Sequence, residues 1–196
     1  MGIRARIATV KRRDDLGLYR GESLRNSAAK SSDDMRNINK AKLMTAILRR
    51  LREDHEMFVK AARAAHAEAT HEQSKAESKY DTRGLEAGYL AMGQGRKIAD
   101  IEDDLTALER LGAPKFAAKN PIDLGALVEL SSKAGTSFYL LAPRAGGLEI
   151  EFAKKEIWVI TPPSPIGQLL MGRAAGGKFK FGTGPAAVGY EIVSVS

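Results

Sequence analysis

The sequence predicts an α+β protein in which an antiparallel pair of long helices precedes a smaller domain with an antiparallel sheet and one short helix. Two patterns predict this organisation. From about Asn39 to Leu111, apolar residues recur at helical spacing and no proline interrupts them. After Gly112-Ala113-Pro114, which ends a helix in the expected way, short runs alternate between apolar and polar residues. The 196-residue chain therefore divides into a helical part and a strand-rich part.

The helical part, residues 37–112, is predicted to contain two helices. A polar interval from His71 to Lys79 separates its halves, and Ser74 followed by Glu77 fits a capping box that would begin the second helix. A turn at Asp81-Thr82-Arg83-Gly84 is the alternative. We expect a coiled-coil hairpin with arms of roughly 35 residues, each about 50 Å long. Its core positions are Met44, Ile47, Leu51, Ile98, Ile101, Leu105 and Leu108.

The strand-rich part is predicted to begin after a linker over residues 113–124 and to occupy residues 125–196. The clearest strand is the one in which Leu148, Ile150 and Phe152 alternate with two glutamates, as expected for a half-buried antiparallel strand. A short helix is expected over 165–171, between the fourth and fifth strands. The six candidate strands are 125–130, 136–142, 147–152, 156–161, 177–182 and 188–195.

Composition excludes several classes of protein. The chain has no cysteine, which excludes disulfides, thiolate zinc sites and cysteine nucleophiles and fits a reducing compartment. No apolar run approaches the roughly 20 residues that cross a bilayer, and the first residues lack the apolar core of a signal peptide. We therefore expect a cytoplasmic protein without membrane attachment.

The net charge of +7 favours an anionic partner, but the excess is unevenly placed. Residues 1–40 carry 10 Lys and Arg against 5 Asp and Glu, residues 41–112 carry 12 against 13, and residues 113–196 carry 9 against 6. This distribution weakens a direct DNA-binding role for the folded part. Residues 1–36 show no sustained period and are predicted to be a basic, disordered extension, with Met35 as an alternative start.

The most specific segment of the chain is Ser164-Pro165-Ile166-Gly167-Gln168-Leu169-Leu170-Met171-Gly172-Arg173. Ser164 is a plausible helix N-cap, and Pro165 suits the first helical position because its missing N–H is not needed there. The segment resembles the C-terminal signature S-P-x-G-x-x-L-x-G-x-x-x-G of the bacterial Gre transcription elongation factors, which a strand and a closing Tyr-Glu-Ile follow, here Tyr190-Glu191-Ile192. One departure is Gly177, where the family commonly has Asp.

The resemblance implies a fold and a function. Gre factors join a helical hairpin to a sheet domain with a fold like that of FK506-binding proteins. The sheet domain docks at the rim of the RNA polymerase secondary channel, and the hairpin inserts into the channel. The resemblance therefore implies RNA polymerase as the partner, Ser164, Pro165, Ile166 and Gly167 as polymerase-binding residues, and no active site or cofactor of the chain's own.

The hairpin tip departs from the family pattern D-L-x-E-N-A-E-Y, whose acids hold a magnesium ion for the polymerase's own cleavage of the transcript. Aligned on Tyr80, Gln73 and Ala76 replace the two acids. An amide and a methyl group cannot substitute for carboxylate ligands of a hard cation. A shifted pair, Glu77 and Asp81 with Glu72 nearby, lies at i,i+4 spacing and could hold magnesium shared with the polymerase. Otherwise these acids form ordinary surface pairs with the neighbouring lysines.

Two other groups of residues have functional and structural interpretations. Arg49, Arg50 and Arg52 could contact nascent RNA or polymerase, or they could form a solvated face paired with the acidic end of the second helix. His66 and His71 are five apart, off the i,i+4 spacing, and the chain offers no thiolate ligand, so no metal site is expected.

The sequence is therefore compatible with three functions. The first is a Gre-like regulator of elongation that stimulates transcript cleavage, or a divergent channel binder that inhibits or only modulates the polymerase. The second is a coiled-coil assembly protein with another partner, although we expect a monomer. The third is a prolyl isomerase, which rests on fold analogy alone.

Overall fold

The computed structural model describes residues 38–70, 83–117, 119–184 and 187–196. Within these residues, two long helices, α1 (Lys40–Thr70) and α2 (Arg83–Leu111), precede six strands and a short helix. The strands are β1 (Leu127–Ser132), β2 (Gly135–Leu141), β3 (Glu149–Phe152), β4 (Lys155–Ile160), β5 (Lys178–Phe181) and β6 (Val188–Val195), and α3 is Pro165–Leu170. The α+β class is confirmed, and each strand lies within two residues of its predicted range.

The two long helices run antiparallel where they pack together. Arg52 near the start of α1 donates to Glu109 near the end of α2 at 2.7 Å, and His55 pairs with Glu102 at 2.9 Å. Leu43 and Ile47 of α1 and Leu108 of α2 are fully buried in the same core. Residues 71–82, where the tip of a hairpin would lie, are outside the described residues, so the complete coiled-coil hairpin stays a prediction.

The sheet has the strand order β3-β4-β2-β1-β6-β5. The prediction of an all-antiparallel sheet is wrong, because β2 and β4 pair in parallel while the other neighbours pair antiparallel. The chain leaves β2, forms β3 at the sheet edge, and returns through a tight turn as β4 between them. That turn carries Ala153 and Lys154 at positive φ. Alternation along each strand is the same for both pairings, so the sequence pattern could not distinguish them.

Each face of the sheet is covered by different elements. On one face, Leu140, Ile157 and Val159 pack in a single core with the first turns of α1 and the last turns of α2. On the other face α3 packs through Leu170 against Leu130 and Ile192. The helices and the sheet are therefore joined by buried apolar contact.

The segment predicted as a linker also packs on the sheet. Ile122 is 1% exposed, and its backbone exchanges hydrogen bonds with the segment that follows α3: its N–H donates to the Arg173 carbonyl at 2.7 Å, and its carbonyl accepts from Gly172 at 2.9 Å. In the described parts of the chain, neither long helix is apolar enough to cross a membrane.

Candidate docking groove

The Ser164 turn has the capping geometry that its sequence predicts. Ser164 is extended, with φ −66° and ψ 152°, and its Oγ accepts a hydrogen bond from the Gly167 N–H at 3.1 Å. The same hydroxyl donates to the Thr161 carbonyl at 2.7 Å. Pro165 occupies the first turn of α3. The turn is therefore fixed by short local bonds, which hold Pro165 and Ile166 at one end of the sheet.

An open apolar groove of about 590 Å³ lies beside this turn. Tyr139 of β2, Trp158 and Ile160 of β4, Ile166 of α3 and Phe181 of β5 contribute its apolar walls. In a flat sheet β4 and β5 would lie four strand spacings apart, roughly 19 Å. Side chains of both strands reach one groove because the sheet curls around α3.

Trp158 is the prominent exposed side chain of the groove. It is the one tryptophan of the chain, and 38% of its surface remains exposed. Tyr139 lies opposite it across the parallel pair, on the same face. The sequence indicated no aromatic pocket in this domain, because the neighbours of Trp158 come from strands that are distant in sequence. The motif residues Ser164, Pro165 and Ile166 line the groove, and Gly167 is buried beneath them.

Three carboxylates lie beside Trp158 on the same face of the β3–β4 hairpin. Glu149 is opposite Trp158 in the strand register, and Glu151 is opposite Glu156. All three are exposed. The Glu149 carboxyl lies against that of Glu156, which raises the pKa of Glu149 through their hydrogen bond. We call Glu149, Glu151 and Glu156 the acidic rim.

A loop joins the groove to the helices. Arg144 follows β2 and donates to Asp104 of α2 at 2.9 Å, and the Ala145 N–H donates to the same carboxylate at 3.3 Å. These contacts, led by the hydrogen bond to Asp104, raise the pKa of the Arg144 guanidinium. Ala145 itself has φ 61°, a conformation that a non-glycine residue seldom adopts. The next residues, Gly146 and Gly147, line the groove.

The three arginines of the predicted site, Arg49, Arg50 and Arg52, have different partners in the structure. Arg52 reaches across to Glu109, as the interpretation of a paired face expects. Arg50 instead pairs with Asp54 at 3.0 Å, and Arg49 with Glu53 at 3.8 Å, both within α1. Asp100, Asp103 and Asp104 at the end of α2 surround Arg144, which sequence reasoning did not single out. A contact of these arginines with RNA or polymerase stays a prediction.

The predicted tip residues Glu72, Glu77 and Asp81 lie outside the described residues, so their convergence on a metal ion stays a prediction. In the part of the chain that the structure does describe, no group of three His, Cys, Asp or Glu side chains could hold a metal ion.

Lys40, the first residue of α1, fixes the helix to the sheet. Its Nζ donates to the Ser196 carbonyl at 2.7 Å and to the Gly125 carbonyl at 3.0 Å, and it lies 4.8 Å from the Phe116 ring centre. Burial lowers the pKa of Lys40 from 10.5 to about 8. The start of the helical pair is therefore held at the same end of the sheet as the groove, because Gly125 in turn donates to Leu141 of β2.

Comparison with protein families and with curated proteins finds no match. Comparison with solved structures finds Gre-type factors. Gfh1 of Thermus thermophilus is 20% identical, covering 76% of this chain and 94% of its own, with a TM-score of 0.32. Gfh1 of Thermus aquaticus is 22% identical, covering 81% and 96%, with a TM-score of 0.33. The elongation factor GreA/GreB of Nitrosomonas europaea is 16% identical, covering 49% and 78%, with a TM-score of 0.31.

The identities and TM-scores are too low to assign the chain to a family or to support a function. A functional assignment therefore depends on the residues and the geometry of the groove.

Proposed function

We propose that this chain is a Gre-like regulator of transcription elongation that binds bacterial RNA polymerase through the groove and inserts its helical hairpin into the secondary channel. One observation carries the proposal: the residues of the Gre-like signature, Ser164 to Ile166, form a wall of an open apolar groove. A capped turn that only completed a core would not leave an exposed aromatic surface beside it.

The placement of the helices supports the second half of the proposal. They pack on the sheet face opposite the groove, so docking through the groove leaves them unobstructed. The buried residues of α1 end at Leu51, whereas the helix continues to Thr70. At 1.5 Å per residue, those 19 residues extend roughly 28 Å beyond the buried base. The hairpin would therefore reach well away from the sheet.

The effect on the polymerase depends on the tip. Glu77 and Asp81 are carboxylates, the ligand type that magnesium takes, and a metal ion held there would assist cleavage of the transcript at the polymerase's own centre. Because the acids of the family pattern are replaced by Gln73 and Ala76, inhibition or modulation without cleavage is the alternative within the same proposal.

Two measurements test the proposal. Core RNA polymerase should retain the chain in a co-sedimentation experiment at low salt, and absence of a complex there would refute it. In stalled elongation complexes, Glu77→Ala and Asp81→Ala should each abolish any stimulated cleavage while leaving binding unchanged. Glu56→Ala, an exposed carboxylate in the middle of α1, is the matched control and should leave both unchanged. Stimulated cleavage that is unchanged in both tip variants would refute the role of Glu77 and Asp81, and absence of stimulated cleavage with the wild-type chain would assign it to the modulating version.

A second candidate is self-association through the helices, which one observation favours. Tyr89, Leu90 and Met92, which lie within about one turn of α2, expose between 54% and 64% of their surfaces. Large apolar side chains exposed together mark contact surfaces more often than isolated ones do. Sedimentation equilibrium separates the candidates, because an assembly protein would show a mass that increases with concentration, whereas a channel regulator would remain a monomer.

A further inference from the structure

The groove and the acidic rim are adjacent on one face of the sheet. Trp158 belongs to the groove, and Glu149 is its direct partner across the β3–β4 pair. Side chains that are opposite in an antiparallel pair have their Cβ atoms about 5 Å apart. Glu156 precedes Trp158 by two residues on β4 and therefore shares its face. An apolar cleft and three negative charges thus form one continuous surface.

The three carboxylates lack a cationic partner within the described residues. No Lys or Arg of the described part forms an ion pair with them. Nearby Lys155 points to the opposite face, where its Nζ lies 4.6 Å from the Phe138 ring centre. The carboxyls of Glu149 and Glu156 lie against each other, and their hydrogen bond, followed by desolvation and by the neighbouring negative charge, raises the pKa of Glu149, so an approaching cation would stabilise the charged form of both. The acidic rim is therefore suited to bind a cationic group of another molecule.

We infer that the groove and the acidic rim together bind an exposed basic segment of a partner protein, with an apolar side chain of that segment inserted beside Trp158. The inference names the kind of segment that the groove binds. It rests on the proposed function only in that RNA polymerase would be the partner that carries this segment. A volume of about 590 Å³ suits a few apolar side chains and not a whole domain surface. The charges of the acidic rim would give the specificity, and the apolar side chain inserted beside Trp158 would give most of the affinity.

Two other occupants of this surface are a second copy of the chain and the residues that precede α1. A second copy would bring its own acidic rim to a two-fold contact, and the like charges would repel. The basic residues 1–37 of the same chain have the right charge, and Lys40, shortly after them in the sequence, is bonded to Gly125 at the groove's end of the sheet. Both occupants give distinct results in the test below.

The test uses the full chain and Trp158 as its own fluorescent reporter. The probe is a synthetic peptide without tryptophan or tyrosine that repeats Arg-Leu-Pro-Lys. Two matched peptides replace either its basic residues with glutamate or its leucines with serine. We expect saturable quenching or a blue shift of the Trp158 emission with the first peptide only. Binding should weaken as salt rises, because exposed charges are screened.

Paired variants of the protein test the acidic rim. Glu151→Lys combined with Glu156→Lys should weaken peptide binding by about tenfold. The control is Glu53→Lys combined with Glu56→Lys, which makes the same change in net charge on exposed α1 and should leave binding unchanged. Glu151→Gln combined with Glu156→Gln gives a smaller loss and serves where the lysine variant does not fold, as circular dichroism would show.

Each other result overturns the inference. Equal binding of the basic and acidic peptides, or equal loss in the two lysine variants, refutes recognition by the rim. No saturable binding of the basic peptide refutes the inference, and where raised salt also shifts the Trp158 emission of the peptide-free chain, the groove is assigned to residues 1–37. Emission that depends on protein concentration assigns it to a second copy.

A parallel co-sedimentation with core RNA polymerase separates the inference from the proposed function. Charge-dependent peptide binding without a polymerase complex refutes the function and leaves the inference standing. A polymerase complex that forms equally well with the wild-type chain and with the rim variant supports the function and overturns the inference.

Discussion

Gly167 offers the most direct test of how the Ser164 turn is built. Replacing it with alanine would place a Cβ in direct overlap with the Thr161 carbonyl oxygen, 2.8 Å from Ser164 Oγ and 3.0 Å from the Thr161 carbonyl carbon. Carbon contacts are normally about 3.5–4.0 Å. The turn must therefore open, and opening it breaks the bonds that Ser164 makes to Thr161 and Gly167.

The magnitude follows from opposing contributions. Helix propensity alone favours Gly167→Ala by about 1 kcal/mol. Overpacking costs about 1–3 kcal/mol, and losing the N-cap costs about 1 kcal/mol. We expect a net loss of about 2 kcal/mol in the free energy of unfolding. For a chain of this length that corresponds to a melting temperature lower by roughly 6 °C.

Gly93 provides the matched control, because it is also a helical glycine but nothing lies within 4 Å of the position that a Cβ would take there. Gly93→Ala should therefore stabilise the protein by about 1 kcal/mol, through propensity alone. The same chemical change is thus expected to have opposite signs at the two sites, with a difference of about 3 kcal/mol between them. Both free energies are measured by denaturant unfolding followed by circular dichroism.

The groove supplies a second readout for the same pair of variants. Opening the turn moves Ile166, which lines the groove with Trp158, so Gly167→Ala should change the Trp158 emission of the folded protein and Gly93→Ala should not. A Gly167→Ala protein that is as stable as the wild type, with unchanged emission, would show that the turn has room for a side chain and would refute this account.

Other contacts lead to four more predictions. Ser164→Ala should cost about 1 kcal/mol in denaturant unfolding, because the N-cap acceptor of Gly167 is lost; an unchanged midpoint would contradict it. Lys40→Met should remove a pH dependence of the free energy of unfolding. Lys40 has a pKa of about 8 in the folded protein and 10.5 in the unfolded chain, so the unfolded chain binds more protons between these values and the wild type becomes more stable as pH rises through them. Because Lys40 is half-exposed, we expect the wild type to gain up to roughly 1.5 kcal/mol relative to the variant. A gain as pH falls would have the wrong sign. Asp104→Ala should cost about 1–2 kcal/mol and increase proteolysis of the loop at Arg144, whereas Asp103→Ala should have little effect. Leu108→Ala should cost about 3 kcal/mol and leave one calorimetric transition, because helices and sheet share a core; two separated transitions would contradict this.

Local patterns accounted for much of the fold. The alternation of Leu148, Ile150 and Phe152 with glutamates placed β3, and Ser164 with Pro165 placed the start of α3. Such signals depend on residues a few positions apart, and each is visible in the printed sequence. The pairing of β2 with β4 is different, because parallel and antiparallel strands share the same alternation.

The electrostatic contacts were likewise predictable from the sequence only in part. The sequence predicted that basic residues of α1 would meet acidic residues of α2, and Arg52 with Glu109 does so. Asp104 instead binds Arg144, 40 residues away, in a loop whose position depends on the sheet topology. Since the topology was not predictable from local pattern, neither was this contact. The acidic run at the end of α2 was a local indication that a cation pairs there, but it did not identify Arg144.

The groove lies beside a short helix. Pro165 begins the helix and Gly172, with φ 75°, follows its end, so only six residues are helical and the helix is roughly 9 Å long. A six-stranded sheet is about 24 Å wide between its outer strands. Leu170 of α3 packs in one core with Leu130 of β1 and Ile192 of β6, whereas Trp158 of β4 stays 38% exposed. The exposed face of Trp158 beside α3 is the surface on which the proposed docking depends.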